Sequence, residues 1–225
     1  MQNFFIPMVD EWGTTTYLPT TLGYFALGLI MAALLCVAAL LTAKDKQRKF
    51  DTRQLVFSSL AMALAVVTSM IKLYEFPFGG SVTMLSMFFI CFIGYLYGLR
   101  TGLMTGFAYG ILQLILGPYI LFPLQVIVDY LLAFGALGLS GLFWKSKNGL
   151  VKGYLAGILG RYFFAVLSGW LFFGEYAWEG WAPLPYSMVY NGAYIFAEAA
   201  ITIILLVAVK PLQDAIVRVK RLSVN

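Results

Sequence analysis

Histidine is absent from this 225-residue chain. That removes His-based acid–base catalysis, Ser-His-Asp and Cys-His nucleophiles, and every His metal site. Charge is scarce too. Asp, Glu, Lys and Arg make up 11% of the residues, against about 25% in an ordinary soluble domain. With 61% of the chain apolar, there is too little polar surface to cover a cytosolic globule, and disorder is excluded because disordered chains are poor in apolar residues. The two cysteines, Cys36 and Cys91, sit inside apolar runs and show neither metal-ligand spacing nor a disulfide framework. There is no G-x-x-x-x-G-K-[ST] loop, so the chain lacks the usual means of hydrolysing ATP. No cofactor or metal is expected.

What is abundant is long apolar sequence. Seven spans stand out, at 22–43, 55–74, 82–98, 102–117, 123–143, 153–173 and 187–209. In lipid such spans must be helices, since the backbone has to satisfy its own hydrogen bonds. The expectation is an all-α integral membrane protein with seven spans, of which 82–98 and 102–117 are short. The first span is preceded by Asp10, Glu11 and Trp12 rather than a basic leader, so it reads as a retained helix and not a signal peptide.

The net charge of +5 is explained by orientation rather than by a nucleic-acid partner. If seven helices alternate, Lys44, Lys46, Arg48, Lys49, Arg53, Arg100, Lys145, Lys147, Lys152, Lys210, Arg218, Lys220 and Arg221 all fall on one side. The loops of the other side carry Asp10, Glu11, Glu75, Glu175 and Glu179 and no Lys or Arg. By the positive-inside rule the C-terminus is cytoplasmic and the N-terminus outside.

Small residues recur at helical spacing, at Gly94/Gly98, Gly102/Gly106/Gly110, Gly153/Gly157 and Ala61/Ala65. Such faces let helices approach closely. They serve either packing within the bundle or docking of another membrane subunit, and spacing alone does not separate the two.

Ionisable groups at depth in a membrane are costly and are usually paired or functional. Arg161 lies roughly 18 Å and Glu198 roughly 16 Å from the outer ends of their spans, taking about 1.5 Å per residue. Their matching depths predict a pair, direct or through water, acting as a lock near the midplane. Asp129 lies only about 8 Å and Asn191 about 6 Å deep by the same rise. With Tyr130 and Tyr186 they are expected to converge on a pocket that opens outward, the alternative for Asp129 being a helix-end carboxylate that snorkels to water. Asn191, Tyr194 and Glu198, at i, i+3 and i+7, share a helix face.

The outer loop Glu175-Tyr-Ala-Trp-Glu-Gly-Trp-Ala-Pro-Leu-Pro-Tyr186 sets Tyr176, Trp178, Trp181 and Tyr186 beside two carboxylates. This is either an interfacial aromatic belt or a lid over a flat cationic ligand, drawn to aromatic faces by their quadrupoles. The loop Glu75-Phe-Pro-Phe-Gly-Gly-Ser-Val82 carries Gly and Pro hinges and is placed to help close the site.

Several of these stretches resemble the thiamine-specific substrate-binding (S) components of energy-coupling factor transporters, the ThiT family. They are Gly79-Gly-Ser-Val-Thr83, Leu124-Gln-Val-Ile-Val-Asp-Tyr130, Arg161-Tyr162 and, most specifically, Tyr176-Ala-Trp-Glu-Gly-Trp181 followed by Tyr186-Ser187 and Asn191. The resemblance runs over about residues 55–210. It implies a six-helix core and a thiamine site near the outer surface. It also implies that energy comes from two ATPase subunits and a membrane T subunit, which topple the protein to release ligand inside.

Position by position, the resemblance makes Asp129 the acidic site residue before Tyr130. Tyr186 and Asn191 become the pair that holds the aminopyrimidine, Trp178 and Trp181 the loop aromatics around the ligand, Phe173 a stacking residue and Arg161 a basic position. Ala61 and Ala65 would meet the T subunit. The chain departs from the family at Ala165, where a histidine is common, and in the added helix at 22–43.

The expected organisation is therefore an extracellular N-terminus, extra transmembrane helix and basic cytoplasmic loop over 1–54, a six-helix substrate-binding core over 55–210, and a basic cytoplasmic tail over 211–225. The expected protein sits in a bacterial cell membrane and is not an enzyme. It binds thiamine through Asp129, Tyr130, Arg161, Phe173, Trp178, Trp181, Tyr186, Asn191, Tyr194 and Glu198. Its partners are membrane lipid, the T subunit and the two ATPases, with no nucleic acid. The rivals are an S component for a thiamine precursor or other vitamin, a self-sufficient secondary transporter of an organic cation, which often shows two related halves, and a membrane enzyme acting on lipid or isoprenoid. The chain has no internal repeat, and Asp129 and Glu198 fall at depths too different for a catalytic dyad.

Overall fold

A computed structural model describes residues 5–9, 15–23, 25, 26, 29 and 51–224. Apart from a few positions, the predicted span at 22–43 and the basic segment after it lie outside the described residues. Two strands near the N-terminus, β1 (Phe5–Val9) and β2 (Thr15–Pro19), pair antiparallel.

Six apolar helices follow. They are α1 (Thr52–Ser69), α2 (Ser86–Tyr97), α3 (Leu99–Leu116), α4 (Pro123–Phe143), α5 (Gly149–Phe172) and α6 (Pro183–Ala208). All but α2 are long and apolar enough to cross a membrane. A last helix, α7 (Lys210–Val224), carries the basic C-terminal residues.

Helix boundaries follow local chemistry. Asp51 caps α1, its Oδ1 accepting from the Arg53 N–H at 3.3 Å. Pro123 and Pro183 stand in the first turns of α4 and α6, where their missing N–H costs nothing. Gly98, at φ +92°, makes the turn between α2 and α3 that a side chain would strain. Within α4 the winding changes, with a π-helical stretch over Val126–Leu132 and a 3-10 stretch over Ala136–Phe143. The π-helical stretch carries Asp129 and Tyr130, which fits the frequent use of such widened turns at functional sites.

Two spans are shorter than their apolarity predicts. The run 55–74 stops being helical at Ser69, and 82–98 becomes helical only at Ser86. Between them lies a hairpin, β3 (Lys72–Glu75) against β4 (Ser81–Thr83). Its tip turns at Phe78 and Gly79, both at positive φ, closed by the Phe76 N–H on the Gly80 carbonyl at 2.7 Å. Positive φ breaks a helix that apolarity alone would continue. Helix α2 compensates by being buried nearly all round, as an apolar helix without a polar face should be.

The glycine stripes serve packing inside the chain. A Cβ on Gly110 would sit 2.1 Å from the Tyr130 carbonyl oxygen, on Gly106 2.6 Å from that of Phe134, and on Gly102 2.8 Å from that of Gly138. From the other side, Gly138 and Gly141 press on the backbone nitrogens of Leu103 and Leu99, and Gly153 and Gly157 close α5 onto Ser140 and Leu137. Ala61 and Ala65 are also buried, in the cluster that includes Ile90, Ile93 and Tyr109. They face into the bundle, which corrects the expectation that they meet another subunit. The face α1 turns outward bears Val56, Leu60, Leu64 and Val67.

Candidate functional site

Between β3–β4, α3, α4, α5 and α6 lies a cavity of about 220 Å³. Polar and aromatic residues line it. Each wall is traceable to its own helix.

From α6, Tyr186, Tyr190, Asn191, Tyr194 and Glu198 project inward. Their steps of three and four residues keep them on one face. The three tyrosines form a ladder, with ring centroids 5.7 Å apart between Tyr186 and Tyr190 and 5.9 Å between Tyr190 and Tyr194. Asn191 is buried and held at both ends. Its Nδ2 donates to the Ser187 carbonyl at 2.9 Å, and its Oδ1 accepts from the Tyr194 hydroxyl at 2.7 Å.

From α4 come Gln125, Asp129 and Tyr130. Gln125 is the organiser of this wall. Its Oε1 accepts from the Leu121 N–H at 2.8 Å, and its Nε2 donates to the Tyr119 carbonyl and to Asp129 Oδ2, both at 3.0 Å. The Tyr130 hydroxyl accepts from the Tyr119 N–H at 2.8 Å. Tyr119 in turn stacks on Phe173, with centroids 6.1 Å apart. The turn before α4 is thereby locked to the side chains that follow it.

Glu198 closes the base and is 3% exposed. Its Oε2 accepts from the Thr83 hydroxyl at 2.6 Å, and its Oε1 from the Ser86 hydroxyl at 2.9 Å and the Met87 N–H at 3.0 Å. It therefore satisfies the first turn of α2, where Leu85 has no capping side chain of its own. Arg161 also lines the cavity, its guanidinium 4.2 Å from the centre of the Phe134 ring.

The direct form of the predicted lock is absent. Among the described residues the ion pair is Lys72–Glu75, and Arg161 and Glu198 do not join. The carboxylate is taken by the end of α2 and the guanidinium by an aromatic face, although both border the same space.

The mouth is aromatic. Phe78, at the hairpin tip, meets Tyr176 of the 174–182 loop at 4.3 Å between ring centroids, so the two outer loops touch. Tyr190 ties the hairpin to α6, accepting from the Gly80 N–H at 3.0 Å and donating to the Pro77 carbonyl.

Trp178 and Trp181 stand outside the lining and are each nearly half exposed. The Trp181 N–H bonds back to the Trp178 carbonyl at 2.8 Å, and Gly180 takes φ +78°. That turn swings the indoles to the outer side, where Trp178 meets Tyr186 edge-on at 5.2 Å. They buttress a lining residue rather than forming the roof.

Of the residues singled out in the sequence, Asp129, Tyr130, Arg161, Phe173, Tyr186, Asn191, Tyr194 and Glu198 border one cavity. Trp178 and Trp181 do not. Sequence reasoning passed over Tyr119, Gln125, Tyr190, Thr83 and Ser86. Two had a signal: Tyr190 stands midway between Tyr186 and Tyr194 on one face, and Gln125 is one turn before Asp129. Ala165 lines the cavity as well, leaving open space where a larger side chain would project.

Comparison with known proteins agrees with this architecture. The pattern of the family described as Thiamine transporter protein matches residues 55–217. The chain is 32% identical over 173 residues to the thiamine transporter ThiT of Bacillus subtilis (strain 168), covering 69% of this chain and 88% of that one. It is 35% identical over 124 residues to ThiT of Lacticaseibacillus paracasei, covering 48% and 62%. The solved structure of ThiT from Listeria monocytogenes superposes with a TM-score of 0.59 at 29% identity, over 71% of this chain and 96% of that one.

Proposed function

The chain belongs to the Thiamine transporter protein family, a family of multi-pass membrane transporters and not of enzymes, and from that premise we propose that its cavity binds thiamine for uptake. The observation that carries the reading is the cavity itself, which sets aromatic rings, a fixed amide and two carboxylates around one enclosed space. Thiamine offers two flat heteroaromatic rings, one cationic and one rich in hydrogen-bonding nitrogens.

In this reading Tyr186, Asn191 and Asp129 serve the aminopyrimidine and Phe173 stacks on it, backed by Tyr119. Tyr130, Tyr194, Arg161 and Glu198 complete the polar lining. Trp178 and Trp181 close the site from behind Tyr186. The lipid-embedded protein has its N-terminus outside and C-terminus inside, so the β3–β4 hairpin and the 174–182 loop face the exterior. Two ATPase subunits and a T subunit supply the energy, and the exposed apolar face of α1 is the surface offered to the T subunit.

Calorimetric titration of the purified protein with thiamine and with its pyrimidine half tests the ligand. Saturable binding of thiamine, tighter than that of the pyrimidine, is expected, and no heat with either compound refutes it. Uptake by cells with and without the ATPase partners separates this reading from a self-sufficient transporter, which would work in both.

A further inference from the structure

The acidic and basic residues bordering the cavity, its tyrosines apart, are Lys72, Asp129, Arg161 and Glu198. Their charges do not cancel. Lys72 is paired with Glu75 at the mouth, where both side chains are at least half exposed, so this pair is neutral and screened by water. That leaves two carboxylates and one guanidinium in the enclosed part. Whichever carboxylate Arg161 serves, one negative charge remains.

Glu198 is built to carry it. Its three partners, Thr83, Ser86 and the Met87 N–H, are all neutral donors. Helix α2 points its N-terminus at the carboxylate, and that end bears a partial positive charge that stabilises an anion without supplying a full counter-ion. Oε1 already accepts two hydrogen bonds and Oε2 one, which leaves lone-pair capacity on Oε2, and the residue borders the cavity. The group is thus held rigidly and shielded from bulk solvent. In such surroundings an opposite charge is attracted far more strongly than in water. Asp129 is placed differently. It receives a hydrogen bond from Gln125 and also interacts electrostatically with Arg161.

We propose that Glu198 is the fixed counter-charge that makes the site selective for a monocationic heteroaromatic ligand, with the cationic ring seated at the α2 end of the cavity and the hydrogen-bonding ring toward Asn191. The proposal rests on the thiamine reading and sharpens it. It assigns charge selection to Glu198 and hydrogen-bond recognition to the Asp129–Gln125 wall. A neutral ring of the same shape then binds more weakly, because it leaves the negative charge unmatched.

The test is calorimetric titration of wild type, Glu198→Gln and Asp129→Asn with thiamine and with a neutral isostere in which a thiophene replaces the thiazolium. Wild type is expected to prefer the cation by about tenfold or more. Glu198→Gln keeps an acceptor for Ser86 and Met87 while removing the charge. It should erase that preference by weakening thiamine alone, the isostere staying within about twofold of wild type. Asp129→Asn should weaken both compounds and keep the preference. Equal loss of both compounds in Glu198→Gln would reduce the residue to a structural role and overturn the proposal. So would a preference that survives there but vanishes in Asp129→Asn. The wild-type comparison stands without any variant, since equal affinity for the two compounds also overturns it. Binding of neither by wild type would instead refute the thiamine reading itself.

Discussion

The seam between α3 and α4 and the wall that α6 presents to the cavity are built by opposite rules. Along the seam, glycines bring backbone against backbone, and Gly102, Gly106 and Gly110 leave no room for even a methyl group. On the cavity wall, large rings stand 5.7 and 5.9 Å apart on successive turns of one helix, with the Tyr194 hydroxyl bonded to Asn191 and the Tyr190 hydroxyl to the hairpin. One face is made of the smallest side chains and the other of nearly the largest. Helix association in a membrane gains little from hydrophobic burial, so close packing has to supply it. The seam gives the bundle a frame that does not yield, and the frame frees the opposite side to keep a hollow that packing would otherwise fill.

The largest effect should come from breaking the frame. In Gly110→Val the new Cβ lands 2.1 Å from the Tyr130 carbonyl oxygen, a backbone atom that cannot rotate away. Overpacking typically costs about 1–3 kcal/mol, and more where backbone must move. Gly110→Val should therefore leave little folded protein in detergent, or unfold many degrees below wild type in a thermal scan. Unchanged melting would mean the seam is looser than its geometry.

Gly169→Ala tests the other face. Here the added Cβ meets side chains, Ser187 Oγ at 2.1 Å and Asn191 Nδ2 at 3.0 Å. Ser187 can rotate off its bond to the Val166 carbonyl, so the fold should survive with a modest fall in melting temperature. Asn191 is displaced in the process. Ligand affinity should drop by about tenfold or more, since buried amide recognition tolerates little misplacement. The pair of glycine variants thus separates stability from binding. A Gly169→Ala protein that melts normally and binds normally would break the contrast between frame and site.

How much of this was legible beforehand follows the same division. Six apolar helices and the small-residue steps could be read from periodicity, because packing in lipid leaves a direct trace in residue size. The loop at 75–82 was marked by its Gly and Pro, but the first strand of the hairpin was not, since Leu73 and Tyr74 look like a continuation of the span. The positive φ at Phe78 and Gly79 and the bond from the Phe76 N–H to the Gly80 carbonyl turn the chain there. Within the site, Asn191, Tyr194 and Glu198 on α6 could be read because spacing of three and four defines a face, although Tyr190 on the same helix was passed over. Depth alone does not bring Arg161 into direct contact with Glu198. Rise along a helix gives height but not rotation, and the Thr83 and Ser86 hydroxyls that claim the carboxylate lie more than 110 residues away in sequence. The tryptophans misled for a related reason. Their number and neighbours were visible, but the turn at Gly180 that points them outward was not.

Tyr190→Phe probes the tie between the two regions at intermediate strength. It removes the acceptor for the Gly80 N–H and the donor to the Pro77 carbonyl while leaving the ring ladder intact. With each such bond worth about 1 kcal/mol net, the hairpin should open more readily and ligand dissociation quicken by about fivefold in stopped-flow measurements. Melting temperature should shift little. A normal dissociation rate would mean that the hairpin does not gate exit.

The smallest effect is expected at Trp178→Phe. Among the cavity-lining rings the indole meets Tyr186, in an edge-on contact, and it is nearly half exposed. Phenylalanine keeps an edge contact, and such ring pairs contribute about 0.5–1.5 kcal/mol beyond their buried area. Affinity measured by calorimetry should therefore fall by less than about threefold. The same variant decides what any ligand-induced change in tryptophan emission reports. Because Trp178 stands one ring behind the cavity, quenching there has to pass through movement of Tyr186, and it should vanish in Trp178→Phe without loss of binding. A loss beyond tenfold would mean that the 174–182 loop folds inward when ligand enters and that the indole becomes part of the wall. The division between a lined cavity and its outer support would then hold for the empty protein alone.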